Sequence, residues 1–393
     1  MTNEKIGTQE FSRRMIPPED WDRAPWNRWS FQHVREFVPT VAVRRGQEQA
    51  TALPRELHAI DDIAFASDGV RTTVGAFLEE SYTDGFIVLH RGRIIAERYM
   101  NGMTERTQHL SQSVAKSVTG TVAGILAGRG QLDPRAPVTA YLPELEATAY
   151  RGALVQDVLD MTSGVAFDEE YTNPDSDIAK ADVACGWKNG GRPGWPKTMW
   201  DLILGLTRQE CGHGSRFRYR SIETDVLAFI LERASGERLA DLVSREIWAP
   251  IGAEEDAYFT VDRAGYALAD GGFNATLRDY ARFGLLHANH GMANGRQIVP
   301  YDWIAATRKG DHDKFQGDYR AVLPKGAYKN QFWIENVAQR AYMARGVFGQ
   351  MIYIDPDTNF VAVKLSSWPE FSNPASTRQA LAAINAIKRA LQS

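Results

Sequence analysis

Apolar runs of strand length, set off by polar turns, stand out toward the two ends of the chain. Phe86-Ile87-Val88-Leu89 and Ile94-Ile95-Ala96-Glu97-Arg98-Tyr99 flank the turn-forming His90-Arg91-Gly92-Arg93 and predict a β-hairpin. Gln350 to Ile354 and Phe360 to Leu365, joined by Asp355-Pro356-Asp357-Thr358-Asn359, predict a second. Between them the apolar spacing becomes helical. Val118, Val122, Ile125 and Leu126 mark one helix, with Gly130 as its C-cap and Gly120, Ala123, Gly124 and Ala127 as small positions that admit close neighbours. Val226, Leu227, Phe229, Ile230 and Leu231 mark another, and shorter helices are expected at 155–161, 200–207, 239–248 and 277–287. Residues 376–391 form an amphipathic helix on Leu381, Ile384, Ile387 and Leu391.

Strands at both ends with helices between them indicate an α/β fold. The expected architecture is an antiparallel sheet flanked by helices, built from both chain ends, with a mainly helical inserted region. Its boundaries are drawn at 1–50 for an N-terminal arm packed on the body, 51–130 and 335–393 for the body, and 131–334 for the insertion. The arm carries Trp21, Trp26, Trp29, Phe31 and Phe37 among prolines, and these rings are expected to pack on the body. Leu53 to Leu78 is read as one helix or two leading to the first hairpin. From Phe167 to Gly214 acidic residues, aromatics and glycines predict long binding loops around one helix.

Composition narrows the partners. A chain of 393 residues with 44% hydrophobic residues can bury a large core, and a net charge of −4 exerts no general pull on nucleic acid or anionic membrane. A small-molecule substrate is expected instead. Met1 to Arg14 lacks the apolar centre of a signal peptide, and nowhere do 18 uncharged apolar residues run together, so a cytoplasmic protein is expected. The two cysteines, Cys185 and Cys211, are read as free thiols, and no cofactor is called for. His287 with His290, and Asp311-His312-Asp313, are read as solvated polar groups rather than a zinc site.

The candidate chemistry sits in Ser113-Val114-Ala115-Lys116, at the start of the first long helix. Residues three apart share a helix face, so the two polar side chains point into one pocket. A serine nucleophile needs an adjacent base and donors for the oxyanion, and a lysine is a base only where burial or another cation holds part of it neutral. Roughly one such Ser-x-x-Lys arises by chance in a chain this long. The other reading of the motif is therefore a surface pair on an ordinary core helix.

Further runs change that balance. Asn27-Arg28-Trp29, Ser113-Val114-Ala115-Lys116-Ser117, Val158-Leu159-Asp160-Met161, Tyr219 with Ser221 and Thr224-Asp225, Gly349-Gln350, and Lys364-Leu365-Ser366-Ser367-Trp368-Pro369 all recur in a known group. Through them the chain resembles the serine β-lactamase and penicillin-recognising superfamily, and more closely its 6-aminohexanoate-dimer hydrolases. The resemblance implies Ser113 as nucleophile, Lys116 as base and Tyr219 as proton relay, with the Ser113 and Val347 backbone amides as oxyanion hole. It further implies that Tyr171 holds the leaving amide nitrogen and Asp182 a substrate ammonium. Glu169 is a second acid nearby, Ser221 belongs to the tyrosine motif, and Trp187 and Trp333 form aromatic pocket walls. A homodimer is also implied. The expected activity is cleavage of short linear ω-amino acid amides with side activity on short esters. The alternative is a carboxylesterase of the same fold with little amidase activity.

Two departures stand out. Phe348-Gly349-Gln350 replaces the Lys-Thr-Gly strand of the wider superfamily, so the cationic clamp for a β-lactam carboxylate is expected to be missing. Asp270 stands where related enzymes carry asparagine or histidine. Its carboxylate is expected to line the substrate pocket, where it repels acids or favours a second cation, which weakens the amide-dimer assignment and leaves the Ser-Lys-Tyr assignment standing.

Overall fold

The computed structural model describes residues 12–392; residues 1–11, most of the polar N-terminal stretch and the start of the arm, lie outside the described residues. Thr83–His90 and Arg93–Tyr99 form the first hairpin, with Arg91 and Gly92 at φ of 51° and 73°. A two-residue turn with both residues at positive φ matches the twist of its strands. Gln350–Asp355 and Phe360–Ser366 form the second hairpin. Phe360–Ser366 pairs antiparallel with Thr83–His90, so the two ends of the chain meet inside one sheet.

That sheet has seven strands, in the order Ala327–Lys329, Phe332–Ile334, Tyr342–Gly346, Gln350–Asp355, Phe360–Ser366, Thr83–His90 and Arg93–Tyr99. All the neighbours are antiparallel. The first two strands fall in the region assigned from sequence to the insertion. Three residues each, they are too short to show a period. Pro374–Ala390 covers one face of the sheet through Ala380, Leu381, Ile384 and Ile387. Leu277–Ala288 covers the other, where a Cβ on Gly284 would stand 2.6 Å from the Val361 side chain.

The nucleophile helix, Val114–Gly128, is buried at every position from Val114 to Leu126. A helix enclosed on all sides needs small residues wherever another backbone or ring crosses it. Added Cβ atoms on Gly120 and Gly124 would stand 2.7 Å from the Asn330 carbonyl oxygen and 2.4 Å from Trp303 Nε1. Gly124→Leu is therefore expected to lower stability by about 1–3 kcal/mol, read as a lower Tm in thermal unfolding.

Several local expectations are corrected. Within Leu53 to Leu78 only Val74–Glu80 is helical, and Ala64–Ser67 pairs with Val70–Thr73 around Asp68 and Gly69 at φ of 50° and 80°. The Asp-Gly dipeptide is the turn signal that a helical reading passes over. In the arm, Thr40–Val43 is a strand of a second sheet, paired with Ala257–Thr260. Trp21 is buried there, and its Nε1–H donates to the Trp187 carbonyl at 3.0 Å. Asp177–Ala184 is a helix inside the expected loops. His287 is not solvated. It lies fully buried between Thr121 Oγ1 (3.0 Å) and the Tyr342 hydroxyl (2.9 Å), and burial pushes its pKa down to about 3, so it is a neutral packing residue. Among the described residues no helix is long and apolar enough to cross a membrane, and both cysteines are free.

Candidate active site

Ser113 caps the buried helix in helical φ/ψ, so its side chain and that of Lys116 stand on one face, a turn apart. Lys116 Nζ donates to Ser113 Oγ at 2.9 Å and to the Asp270 carbonyl oxygen at 2.6 Å. Tyr219 closes the group. Its hydroxyl lies near enough to Ser113 and Lys116 for both side chains to draw its pKa down, and its ring centre lies 5.2 Å from Nζ. The tyrosine is braced twice, by its N–H on the Tyr319 hydroxyl oxygen (3.0 Å) and by stacking on Trp333 at 5.4 Å. Gln112, directly before the nucleophile, has φ of 51°. A non-glycine residue held there marks a turn whose surroundings over-determine it.

The charges on this group are not those required by a simple lysine base. Burial alone would push the Lys116 ammonium down. The Tyr219 oxygen and the carboxylates of Asp270 and Glu169 outweigh it, and the net direction is upward. Burial also raises Tyr219, against the opposing pull of Lys116. The resting arrangement is thus an ammonium beside a neutral phenol. Asp270 also touches the core: its Oδ2 lies 3.8 Å from Nζ, in addition to the hydrogen bond that its carbonyl oxygen accepts. The sequence cannot place it, because residues 116 and 270 meet only through tertiary packing.

Acids gather around this ammonium. Glu169 accepts from the Tyr171 hydroxyl at 3.0 Å, and from both the amide (2.9 Å) and the hydroxyl of Ser221. Asp225, buried on the Ile222–Ser235 helix, accepts from the Ala269 amide at 3.0 Å and so holds the loop that presents Asp270. Burial raises the pKa of Glu169, Asp270 and Asp225 alike; Lys116 opposes it in all three, and in Asp225 the Asp270 charge adds to it. Protons in such a cluster belong to the group rather than to one residue. Asp225 appeared in the sequence only as part of a motif, and its role as a brace carried no signal there.

Two chambers open from Ser113. An inner one of about 50 Å³ is lined by Tyr171, Asp182, Trp187, Asp270 and Phe348 among others. An outer cleft of about 570 Å³ is lined by Glu169, Tyr219, Trp333 and Arg345 among others. Tyr171 and Val347 border both. Asp182 projects from the Asp177–Ala184 helix, and burial together with the Asp22 carboxylate pushes its pKa up to about 7. Trp187 is fixed by its Nε1–H on Thr260 Oγ1 at 3.0 Å. The Ser113 and Val347 amides donate to no neighbour among the described residues. Gly346 lets the Val347 segment approach the nucleophile: a Cβ there would stand 2.5 Å from the Ser111 carbonyl oxygen and 3.0 Å from the Ser113 nitrogen. The structure thus brings Ser113, Lys116, Tyr219, Glu169, Tyr171, Ser221 and Asp270 together around one point. Asp182 and Trp187 lie along the inner chamber, and Trp333 along the outer.

This geometry can be set beside known proteins. A family model described as β-lactamase matches residues 70–386. The chain belongs to the β-lactamase family. It is accordingly a serine hydrolase. A 6-aminohexanoate-dimer hydrolase of Paenarthrobacter ureafaciens is 36% identical over 354 residues, which are 90% of this chain and 88% of that protein. The structure of a candidate 6-aminohexanoate-dimer hydrolase from Bacillus anthracis superimposes with a TM-score of 0.89 at 31% identity, covering 98% of this chain and 99% of that one. A family VIII carboxylesterase shares the fold at a TM-score of 0.60 and 17% identity, over 80% of this chain and 95% of its own.

Proposed function

We propose that this β-lactamase-family hydrolase cleaves the amide bond of short linear ω-amino acid oligomers, such as 6-aminohexanoate dimer, through an acyl-enzyme on Ser113. The observation that carries the reading is the Asp182 carboxylate in a narrow chamber leading away from Ser113, which is hydrogen-bonded to Lys116 with Tyr219 beside them. A carboxylate so placed selects an ammonium at the far end of an acyl chain. The named relatives support the same substrate class.

In this mechanism Ser113 Oγ attacks the carbonyl carbon and its proton passes to Lys116. The oxyanion takes hydrogen bonds from the Ser113 and Val347 amides. Tyr219 then gives its proton to the leaving nitrogen as the C–N bond breaks, and is reprotonated from Lys116. Water hydrolyses the ester along the reverse path. Lys116 must first lose the proton that its carboxylates favour. A substrate ammonium beside Asp182 and Asp270 supplies replacement positive charge and lowers the lysine pKa, so the base forms when substrate is bound.

One observation favours the carboxylesterase alternative. Asp270 holds Lys116 protonated, and an ester, whose leaving alkoxide needs less help from a proton donor than an amine does, tolerates a weak relay better. Incubating the protein and its Ser113→Ala variant with 6-aminohexanoate dimer and a short-chain aryl ester, with both products quantified by mass spectrometry, separates the two. Cleavage of both substrates by the unmodified protein supports the amidase; cleavage of the ester alone refutes it.

Asp182 gives a pH test of the same reading. A carboxyl with a pKa near 7 is neutral below that pH and pairs with an ammonium only above it. The dimer's kcat/KM should therefore fall as pH drops through about 7. Asp182→Asn should remove that limb and raise the dimer KM about tenfold, read from steady-state kinetics across pH.

A further inference from the structure

The outer cleft contains a cation that the mechanism leaves unused. Arg345 is the penultimate residue of the Tyr342–Gly346 strand, two positions before the Val347 amide. Its guanidinium carbon lies 5.1 Å from the centre of the Trp333 ring, and one nitrogen donates to Thr377 Oγ1 at 3.2 Å. No carboxylate pairs with it among the described residues. The other arginine lining the cleft, Arg218, is tied to Glu210. Burial lowers the Arg345 pKa to about 10, and the Tyr219 hydroxyl opposes that shift.

A guanidinium presents five donors in a planar fork that matches a carboxylate. Stacking on Trp333 and the bond to Thr377 use one face and one donor, so most of the fork is free toward the cleft. The two chambers differ in their cations: among the residues lining them, Arg345 is the one in the outer cleft with no carboxylate partner. Asp182 lines the inner chamber, Ser113 borders both chambers, and Tyr219 and Arg345 line the outer cleft, together with the acids Asp168, Glu169, Glu170 and Asp318. A leaving amine that takes its proton from Tyr219 carries its own chain into this outer cleft.

We infer that Arg345 receives the free carboxylate of the leaving half, so that the site reads both ends of a zwitterionic amide. This rests on the amide-hydrolase reading above. The Lys-Thr-Gly clamp is absent from Phe348-Gly349-Gln350, as the sequence indicated, but the cleft still holds a carboxylate-binding cation, supplied from Arg345 instead.

The test compares 6-aminohexanoate dimer with the same dimer capped as its terminal carboxamide, on the unmodified protein, Arg345→Gln and Arg345→Lys. The quantity read is the ratio of kcat/KM for free acid over carboxamide, which does not depend on how much of each preparation is folded. The unmodified protein should favour the free acid by about tenfold, mainly through KM. Arg345→Gln should bring the ratio close to one, with Arg345→Lys between. An unchanged ratio in Arg345→Gln, or no preference in the unmodified protein, overturns the inference. If neither dimer is cleaved while an aryl ester is, the amidase reading has failed, and inhibition of ester turnover decides about Arg345. There 6-aminohexanoate should inhibit more tightly than 6-aminohexanamide, and Arg345→Gln should erase the difference; equal inhibition by both in the unmodified protein overturns the inference.

Discussion

Ser113→Ala lowers kcat on both the amide dimer and an aryl ester by about 10⁴-fold or more. Removing Oγ deletes the atom that forms the covalent bond, and nothing nearby replaces it. The two free amides and the acid cluster remain and leave only the residual rate that binding and oxyanion contacts give. The fold should scarcely respond. Lys116 loses one partner at 2.9 Å but keeps the Asp270 carbonyl at 2.6 Å, and deletion of one such hydrogen bond costs about 1 kcal/mol. Intact mass spectrometry after acid quenching should show an acyl adduct on the unmodified protein and none on the variant. Turnover that survives in a variant of normal Tm would remove Ser113 from the chemistry.

The parts of this molecule that were legible in its sequence are those fixed by local pattern. The two hairpins follow from apolar runs about positive-φ turns, and their union in one sheet follows from where they lie in the chain. The Ser-x-x-Lys spacing requires one helix face, and the structure places both side chains on it. What escaped is what depends on distant partners. Arg345 carries no mark along a five-residue strand, and its meaning comes from Trp333 and Thr377. Asp225 reads as one polar position on a helix until the 269–270 loop is set against it. Several shared motifs proved to be braces: Arg28 pairs with Asp84 at 2.9 Å, Asn27 donates to the Trp368 carbonyl at 2.8 Å, and Asp160 takes Lys329 at 2.6 Å. Gly349, at φ of 89°, lets the Trp368 ring approach to 2.4 Å of where a Cβ would be. Such contacts tie distant segments of the chain together, and of these residues Trp368 also lines the outer cleft.

Lys116→Met should lower kcat by about 10³-fold, and its effect on stability should depend on pH in a way that Ser113→Ala does not. The lysine is the cation among Asp270, Asp225 and Glu169, each of which burial already holds above the ordinary carboxyl range. With Lys116 gone their folded pKa values rise further, while the unfolded values stay near 4. The folded state then holds protons that the unfolded state releases, so stability is lost as pH climbs above the unfolded values. The stability deficit of Lys116→Met, read from unfolding curves across pH, should accordingly be small near about pH 5 and widen toward about pH 8, approaching about 3–5 kcal/mol, the cost of an uncompensated buried charge. Adding Asp270→Asn to Lys116→Met should recover part of that deficit without restoring turnover, because it removes a stranded carboxylate but supplies no base. A deficit that is flat with pH would mean that these acids do not depend on Lys116, and the substrate-triggered release of its proton would fall with it.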